Sequence, residues 1–187
     1  MANRKIIVYA GTSADGFIAR PDGGVEWLTS RPKPDGFYDI AKFTAAIDTK
    51  ILGRKTYDKS LQLGAKFDGT TKTYIFSTQP EPSAYPTGVE FVSEPIASFA
   101  RRLRAADGKN IWMMGGGGII ASFLDAGAID QFIVNVMPVL IGEGIPLIAP
   151  RHRHVPLNLL SSRHFTDGVV QLHYEVLAHG KPDHSVS

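Results

Sequence analysis

The stretch NIWMMGGGGIIASFLDAG, Asn110 to Gly127, sets four consecutive glycines between an apolar run and a helix-like pattern. NIWMM reads as a strand and GIIASFLDAG as a helix, so the glycines lie where a strand hands over to the helix that follows. In an open α/β sheet that position takes ligands. The first turn of the helix offers unpaired amides and the positive end of a dipole, and glycine lets a phosphate approach without meeting a Cβ. Four glycines in a row lose more backbone entropy on folding than a tight turn requires, which favours a pyrophosphate cradle over a turn without a ligand. A side chain at Gly117 is accordingly expected to clash with the phosphate while leaving the fold intact.

On either side, Gly and Pro divide the chain into alternating strand-like and helix-like pieces, with no low-complexity linker and no repeat. KIIVYAG (Lys5 to Gly11) has the β-branched pattern of a strand buried on both faces and closed by glycine. The glycine-punctuated loop TSADGFIARPDGG follows. In GFYDIAKFTAAID the spacing of Phe37, Ile40, Phe43 and Ile47 predicts one helical stripe packed on a sheet. TKILG (Thr49 to Gly53), KTYIFST (Lys72 to Thr78) and GVEFVS (Gly88 to Ser93) read as strands. SEPIASFARRLRAADG predicts a helix with Ser93 as N-cap, Glu94 and Pro95 in its first turn, an Ile96, Phe99, Leu103 stripe and a closing Gly108. IDQFIVNVMPVLIG reads as a long apolar strand. VPLNLLSSRHF and DGVVQLHYEVL read as a hairpin around a Thr-Asp-Gly turn, with Val170, Leu172, Tyr174 and Val176 alternating. The order implies a mostly parallel sheet covered by helices, with antiparallel strands at its end.

Composition bounds the rest. The 187 residues suit one domain, expected over 1–178, with the polar 179–187 as a tail. Hydrophobic residues make up 43% and charged residues 20%, and no apolar run approaches a membrane span, so a membrane location is not expected. The N-terminus is too short in apolar residues for a secretory signal. With no cysteine there is neither a disulfide nor a thiolate metal site, and a cytoplasmic location is the default. A net charge of +2 gives no nucleic-acid footprint; RRLR (Arg101 to Arg104) and RHRH (Arg151 to His154) read as solvated faces. His152 and His154, two apart with no third ligand, make a poor metal site.

Which nucleotide fold the glycines belong to depends on the other loops. Gly116, Gly118 and Ala121 satisfy G-x-G-x-x-A, but that fingerprint belongs after a first strand with an acid about 20 residues on. Here the region near Pro138 has no strand-end acid, and Glu143 lies in a glycine loop. A P-loop is excluded because no Lys-Ser or Lys-Thr follows the glycines. LGRKTY (Leu52 to Tyr57) puts glycine, two cations and a hydroxyl at a strand end, where Arg54 and Lys55 could neutralise a phosphate. SADGFIA (Ser13 to Ala19) is a glycine-hinged loop after the first strand.

Together with GGGG and ASFL, these motifs resemble the dihydrofolate reductase superfamily. The form of SADGFIA and the later PVLIGEGIPL (Pro138 to Leu147) are most similar to the reductase domain of bacterial riboflavin biosynthesis and its stand-alone relatives. The sequence carries no zinc-binding His and Cys motif of the accompanying deaminase, so the expectation is a stand-alone reductase. The resemblance covers about residues 4 to 178. It implies a dihydrofolate reductase-like three-layer α/β fold, a mostly parallel sheet of about eight strands with an antiparallel C-terminal hairpin and helices on both faces. The implied cofactor is NADPH, and the implied activity is hydride transfer to a pteridine- or pyrimidine-like heterocycle or a ribose-derived carbonyl. Under that resemblance Gly115, Gly116, Gly117, Gly118 and Ile119 line the pyrophosphate. Gly53, Arg54 and Thr56 sit on the adenosine side, with Arg54 toward the 2′-phosphate and Ser77 and Thr78 toward that phosphate or the adenine ribose. Ala10, Asp15, Gly16 and Ile18 border the nicotinamide.

A 2′-phosphate asks for a fixed cation and hydroxyl donors, which these residues supply, although Arg54 reads alternatively as one half of a surface salt bridge; Lys55 should face solvent. Asp39 is the nearest match to the family's acid on the first helix, although its spacing to LGRKTY departs from the family pattern. It reads equally as a plain residue at a helix start. Asp15 reads as a turn former or a substrate-side group, Glu143 as a loop cap at the site's mouth, and Trp27 and Phe37 as core or as an aromatic pocket. The partners expected are a small-molecule substrate and a second copy of the chain, since the late apolar strand needs cover at its edge. The alternative is a nucleotide-binding protein without turnover.

Overall fold

The structure, a computed structural model, describes residues 4–31 and 37–177, with only the backbone of Phe37; the expected tail 179–187 and the side chain of Phe37 lie outside the described residues. The chain begins with β1 (Ile6–Ser13), β2 (Phe17–Ala19) and a short α1 (Glu26–Thr29). A 3-10 turn at Phe37–Asp39 then leads into α2 (Ile40–Ala45), β3 (Ile47–Gly53), α3 (Arg54–Gln62), β4 (Lys72–Phe76) and β5 (Val89–Val92). The second half supplies α4 (Ile96–Ala105), β6 (Asn110–Gly115), α5 (Gly117–Asp125), β7 (Gln131–Met137), β8 (Ile145–Pro146), β9 (Leu157–His164) and β10 (Val170–Val176). Eight strands form one sheet in the order β5-β4-β3-β6-β1-β7-β10-β9. The first six of that order are parallel, and β10 and β9 close it as an antiparallel hairpin.

Connection handedness distributes the helices. The chain moves in one direction from β1 to β3 to β4 and in the other from β5 to β6 to β7, and right-handed crossovers place the two sets of helices on opposite faces. Phe99 and Leu103 of α4 and Ile120 and Phe123 of α5 pack with Ile6, Val8, Ile51, Ile111 and Met113 on one face. Phe43 of α2 packs with Ile7 and Tyr9, and Tyr57 of α3 with Leu52 and Ile75, on the other. β1 therefore spends alternate side chains on two cores, as its unbroken apolar run requires.

Several elements differ from their sequence pattern. Ile47 does not extend the stripe of Ile40 and Phe43: it opens β3 and pairs with Asn110, because α2 ends within two turns and a β-branched residue there fills the sheet core. Ser93 caps nothing. α4 starts at Ile96 with Pro95 in the N-cap position, since the residue before a proline is disfavoured in helical conformation and Glu94 instead pairs with Arg102. Gly11 does not close β1, which stays paired with β7 as far as Ser13 and Met137. The loop after it contains β2, which pairs with β8. β7 stops at Met137 because Pro138 has no N–H for the ladder.

At the amino ends of the strands Arg4 is buried. Its guanidinium pairs with the Asp48 carboxylate, donates to Thr49 Oγ1 at 2.7 Å and reaches the Lys109 and Leu103 carbonyls at 2.6 and 3.4 Å. This network clips the entry to β1 against β3 and the turn before β6.

Candidate functional site

The reversal of chain direction falls at β6. Helices leaving β1 and β3 turn to one face and α5, leaving β6, turns to the other, which opens a crevice at the carboxyl end of β6. The register sharpens it. β1 pairs with β6 only over Ile6 to Val8, opposite Ile111 to Met113, and then leaves it while remaining paired with β7. On the other side, Gly53 lies opposite Phe76 and Leu52 opposite Gly115, so β4, β3 and β6 end level.

Two nine-residue helices start there side by side, α3 after Gly53 and α5 after Gly116. The amides of Arg54, Lys55 and Thr56 and of Gly117, Gly118 and Ile119 form the first turns, which lack partners within the helix. The two starts touch: a Cβ on Gly53 would lie 3.4 Å from Ile119 Cγ2. Thr56 joins them, its hydroxyl accepting from the Gly116 amide at 2.9 Å. Two positive dipole ends thus face one opening, an arrangement suited to a diphosphate.

The four glycines meet different needs. Gly115 has φ +120, a conformation that L side chains rarely adopt. Gly116 leaves room for Thr56, whose Oγ1 a Cβ would approach to 2.9 Å. A Cβ on Gly117 would run into the carbonyl oxygen of Pro146, so the expected clash with phosphate is replaced by one with the chain itself. Gly118 is exposed and a Cβ there meets nothing within 4 Å, leaving its amide and that of Ile119 nearest to open space.

Residues 138–149 span the crevice. The Leu147 amide donates to the Gly16 carbonyl at 3.1 Å and the Ala149 amide to the Gly117 carbonyl at 3.0 Å, while β8 pairs with β2. Asp15 is the fastening on the β1 side. Its carboxylate accepts from the Gly142 amide at 2.7 Å and the Ile141 amide at 3.2 Å. The Ser13 hydroxyl first, and then these two amides, hold its carboxyl below the ordinary 3.8. The sign follows: a lowered carboxyl pKa favours the closed loop above the unfolded value, and that contribution disappears as pH falls through the lowered one. Asp15→Ala, which removes both acceptors, is expected to raise the dissociation constant for a dinucleotide several-fold by loosening the loop at this end, with little change in melting temperature. Equal affinities in wild type and variant by calorimetry would remove Asp15 from this role. The glycine that follows, Gly16, has φ +87; Ala10 and Ile18 are half-buried.

Of the residues expected on an adenosine side, Arg54 opens α3 with its Nε 2.9 Å from Asp58 Oδ2, and the neighbouring Lys55 is exposed. Ser77 leaves β4 with its hydroxyl accepting from the Gln79 amide at 3.0 Å, and Thr78 is exposed beside it.

The substrate-side expectation for Asp39 meets a different geometry. Tyr38 and Asp39 both take left-handed conformations, φ 57 and 59, which break the predicted continuous helix. Asp39 turns to β9, where its carboxylate pairs with the Arg163 guanidinium. The strained turn is held from below: the Tyr38 carbonyl accepts from Tyr9 Oη at 2.6 Å and from Gln171 Nε2 at 3.0 Å, and Gln171 also reaches Asn135 Oδ1 at 2.9 Å. Burial, and then the Asp167 carboxylate that its hydroxyl touches, push Tyr38 up to about 12. Sequence reasoning missed this network. The available signal was a polar residue interrupting each of two apolar strands, Asn135 in IVNV and Gln171 in VQLH, which lie opposite each other. Trp27 belongs to the core with Met137 and Val169, and its buried Nε1 has no partner among the described residues.

Glu143, His152 and His154 are exposed. Both basic stretches are ion-paired, Arg102 with Glu94, Arg104 with Asp130, and Arg151 and Arg153 with Asp125. A cavity of about 450 Å³ at the amino ends of the strands is lined by Arg4, Asp48, Lys72 and Arg102, but each cation there already has a carboxylate.

Comparison with known proteins agrees with the fold. The model of the RibD C-terminal domain matches residues 4–171. The "Uncharacterized protein YwjB" of Bacillus subtilis (strain 168) is 37% identical over 172 residues, covering 91% of this chain and 97% of that protein. A structure of a protein assigned to riboflavin biosynthesis in Shewanella sp. PV-4 superposes with a TM-score of 0.79 at 28% identity, covering 93% of this chain and 99% of that one. Dihydrofolate reductase from Enterococcus faecalis, solved with NADP(H), gives a TM-score of 0.60 at 13% identity over 92% of this chain and 96% of that one, a likeness of fold alone. The fold is dihydrofolate reductase-like, as the motifs implied.

Proposed function

Since the chain belongs to the RibD C-terminal domain family, we propose that it is an NADPH-dependent reductase acting on a small pteridine- or pyrimidine-like heterocycle or a ribose-derived carbonyl. The observation that carries this reading is the pair of helix starts, α3 and α5, meeting at the end of β6. The residues present fit the cofactor. Gly118 and Ile119 amides would take the diphosphate, Arg54 with Ser77 and Thr78 would face the 2′-phosphate, and Ala10, Gly16 and Ile18 would border the nicotinamide, where β1 parts from β6. The chemistry NADPH supplies is a hydride from its nicotinamide ring. The chain's part is to hold that ring against the acceptor and to keep water out. Asp15 and Asp39 act in this reading by position, one fastening the loop and the other fixing the turn above Tyr9.

The second reading, a nucleotide-binding protein without turnover, draws support from these same two carboxylates, both committed to partners within the chain. Titration with NADPH and NADH, followed by NADPH oxidation with a panel of heterocycles, separates the two. Micromolar binding with at least one acceptor reduced is the expected result. Binding without any oxidation would favour the second reading, and failure to bind either dinucleotide would end both.

We also propose that two copies pair through β9. That edge strand exposes Leu157, Leu159 and Leu160 and carries neither the lysine nor the proline that commonly guards an edge. As to location, no helix among the described residues is long and apolar enough to cross a membrane.

A further inference from the structure

Arg54 is not a free cation. Its Nε lies 3.0 and 2.9 Å from the two Asp58 oxygens, Nη1 reaches the Pro80 carbonyl at 3.4 Å, and the guanidinium lies 5.5 Å from the centre of the Phe91 ring. Nη2 has no hydrogen bond among the described residues. Helix energetics do not account for the pair. A cation at the first helical position opposes the dipole, and an i,i+4 pair is weaker with the cation on the N-terminal side. What the pair does is fix the guanidinium by its Nε, leave Nη2 without a hydrogen bond among the described residues, and cancel its charge with a carboxylate one turn away. Solvent screens that carboxylate only in part, since Asp58 is 43% and Arg54 25% exposed.

We infer that Asp58 sets the cofactor preference of this chain: by neutralising Arg54 it holds down the advantage of a dinucleotide bearing a 2′-phosphate over one that lacks it. The inference rests on the proposed dinucleotide site, and within it Asp58 is a specificity residue that does not itself touch the ligand. A 2′-phosphate dianion at the Nη edge meets a guanidinium whose field is offset by the Asp58 carboxylate. The 2′-hydroxyl of NADH carries no charge to respond.

The test is Asp58→Asn, which keeps an acceptor for Arg54 Nε and removes the charge, with Asp58→Ser as a second variant and circular dichroism to verify folding. Dissociation constants for NADPH and NADH are measured for each at low and moderate salt. NADPH affinity is expected to rise about fivefold at low salt, with the gain shrinking as salt is added, while NADH affinity stays within about twofold. In Arg54→Ala/Asp58→Asn the gain should vanish. If wild type binds NADPH and neither variant tightens it, or both weaken it, the inference is overturned while the cofactor reading stands. If neither dinucleotide binds any of the proteins, the cofactor reading has failed and takes the inference with it.

Discussion

Gly118→Asp should leave a folded and slightly more stable protein in which the affinity for the proposed dinucleotide is down by about a hundredfold or more. The position is exposed in the first turn of α5 and has open space where a Cβ would go. An aspartate there exchanges a poor helix former for a side chain that suits the positive end of the dipole, a gain of about 0.5–1 kcal/mol. The same carboxylate would stand where a diphosphate needs to be. One residue earlier, Gly117→Ala should do the reverse kind of damage. Its Cβ meets the Pro146 carbonyl, a backbone atom that cannot swing aside, so the segment 138–149 or the start of α5 must move. A loss of about 2–4 kcal/mol is expected, seen as a lower melting temperature before any ligand is added. Calorimetric titration beside thermal melts reads both variants. Normal dinucleotide affinity in Gly118→Asp would mean that the α5 start does not hold the phosphates, and an undisturbed melt for Gly117→Ala would mean that the segment does not press on the helix.

Arg4→Met should be the most destabilising change remote from the crevice. The methionine fills much of the space, but it removes the cation from Asp48, whose carboxylate keeps the Lys109 amide and the Thr49 hydroxyl as donors, and it leaves the carbonyls of Lys109 and Leu103 without the guanidinium. Breaking one side of a buried pair is worth about 3–5 kcal/mol. The lower end applies because the Asp48 side chain keeps 36% of its surface exposed and can be rehydrated. About 3 kcal/mol corresponds to a fall in melting temperature of roughly 6–12 °C for a domain of this size. Asp48→Asn in the same chain should recover part of it. A fall of less than about 2 °C would show that water replaces the guanidinium at little cost.

The fold was legible because its signals are local: apolar runs stopped by Gly and Pro, and glycines at strand-to-helix junctions such as Gly53 and Gly115. The start of α3 shared that advantage, since Gly53, Arg54 and Thr56 are neighbours in sequence and stay neighbours there. Even the Arg54 and Asp58 pair was within reach, lying one helical turn apart. What sequence could not give were groups joined across the chain. The Asp39 and Arg163 pair is 124 residues apart and Tyr38 with Gln171 is 133, and neither spacing carries a pattern. Gly117 shows the same limit. Its run marks a close approach, but only the sheet order reveals that the approaching group is Pro146. Ile47 failed differently, because three-and-four spacing continues across a helix end whenever the next strand begins with a residue of the same kind.

The segment 138–149 is bonded to Gly16 at one bank of the crevice and to Gly117 at the other. A single crosspiece therefore serves both halves of the opening, and neither half can be widened alone. Lengthening or shortening it would misalign the far bank as much as the near one. Remodelling this opening for a bulkier guest would have to treat loop, crosspiece and helix start as one transplantable unit.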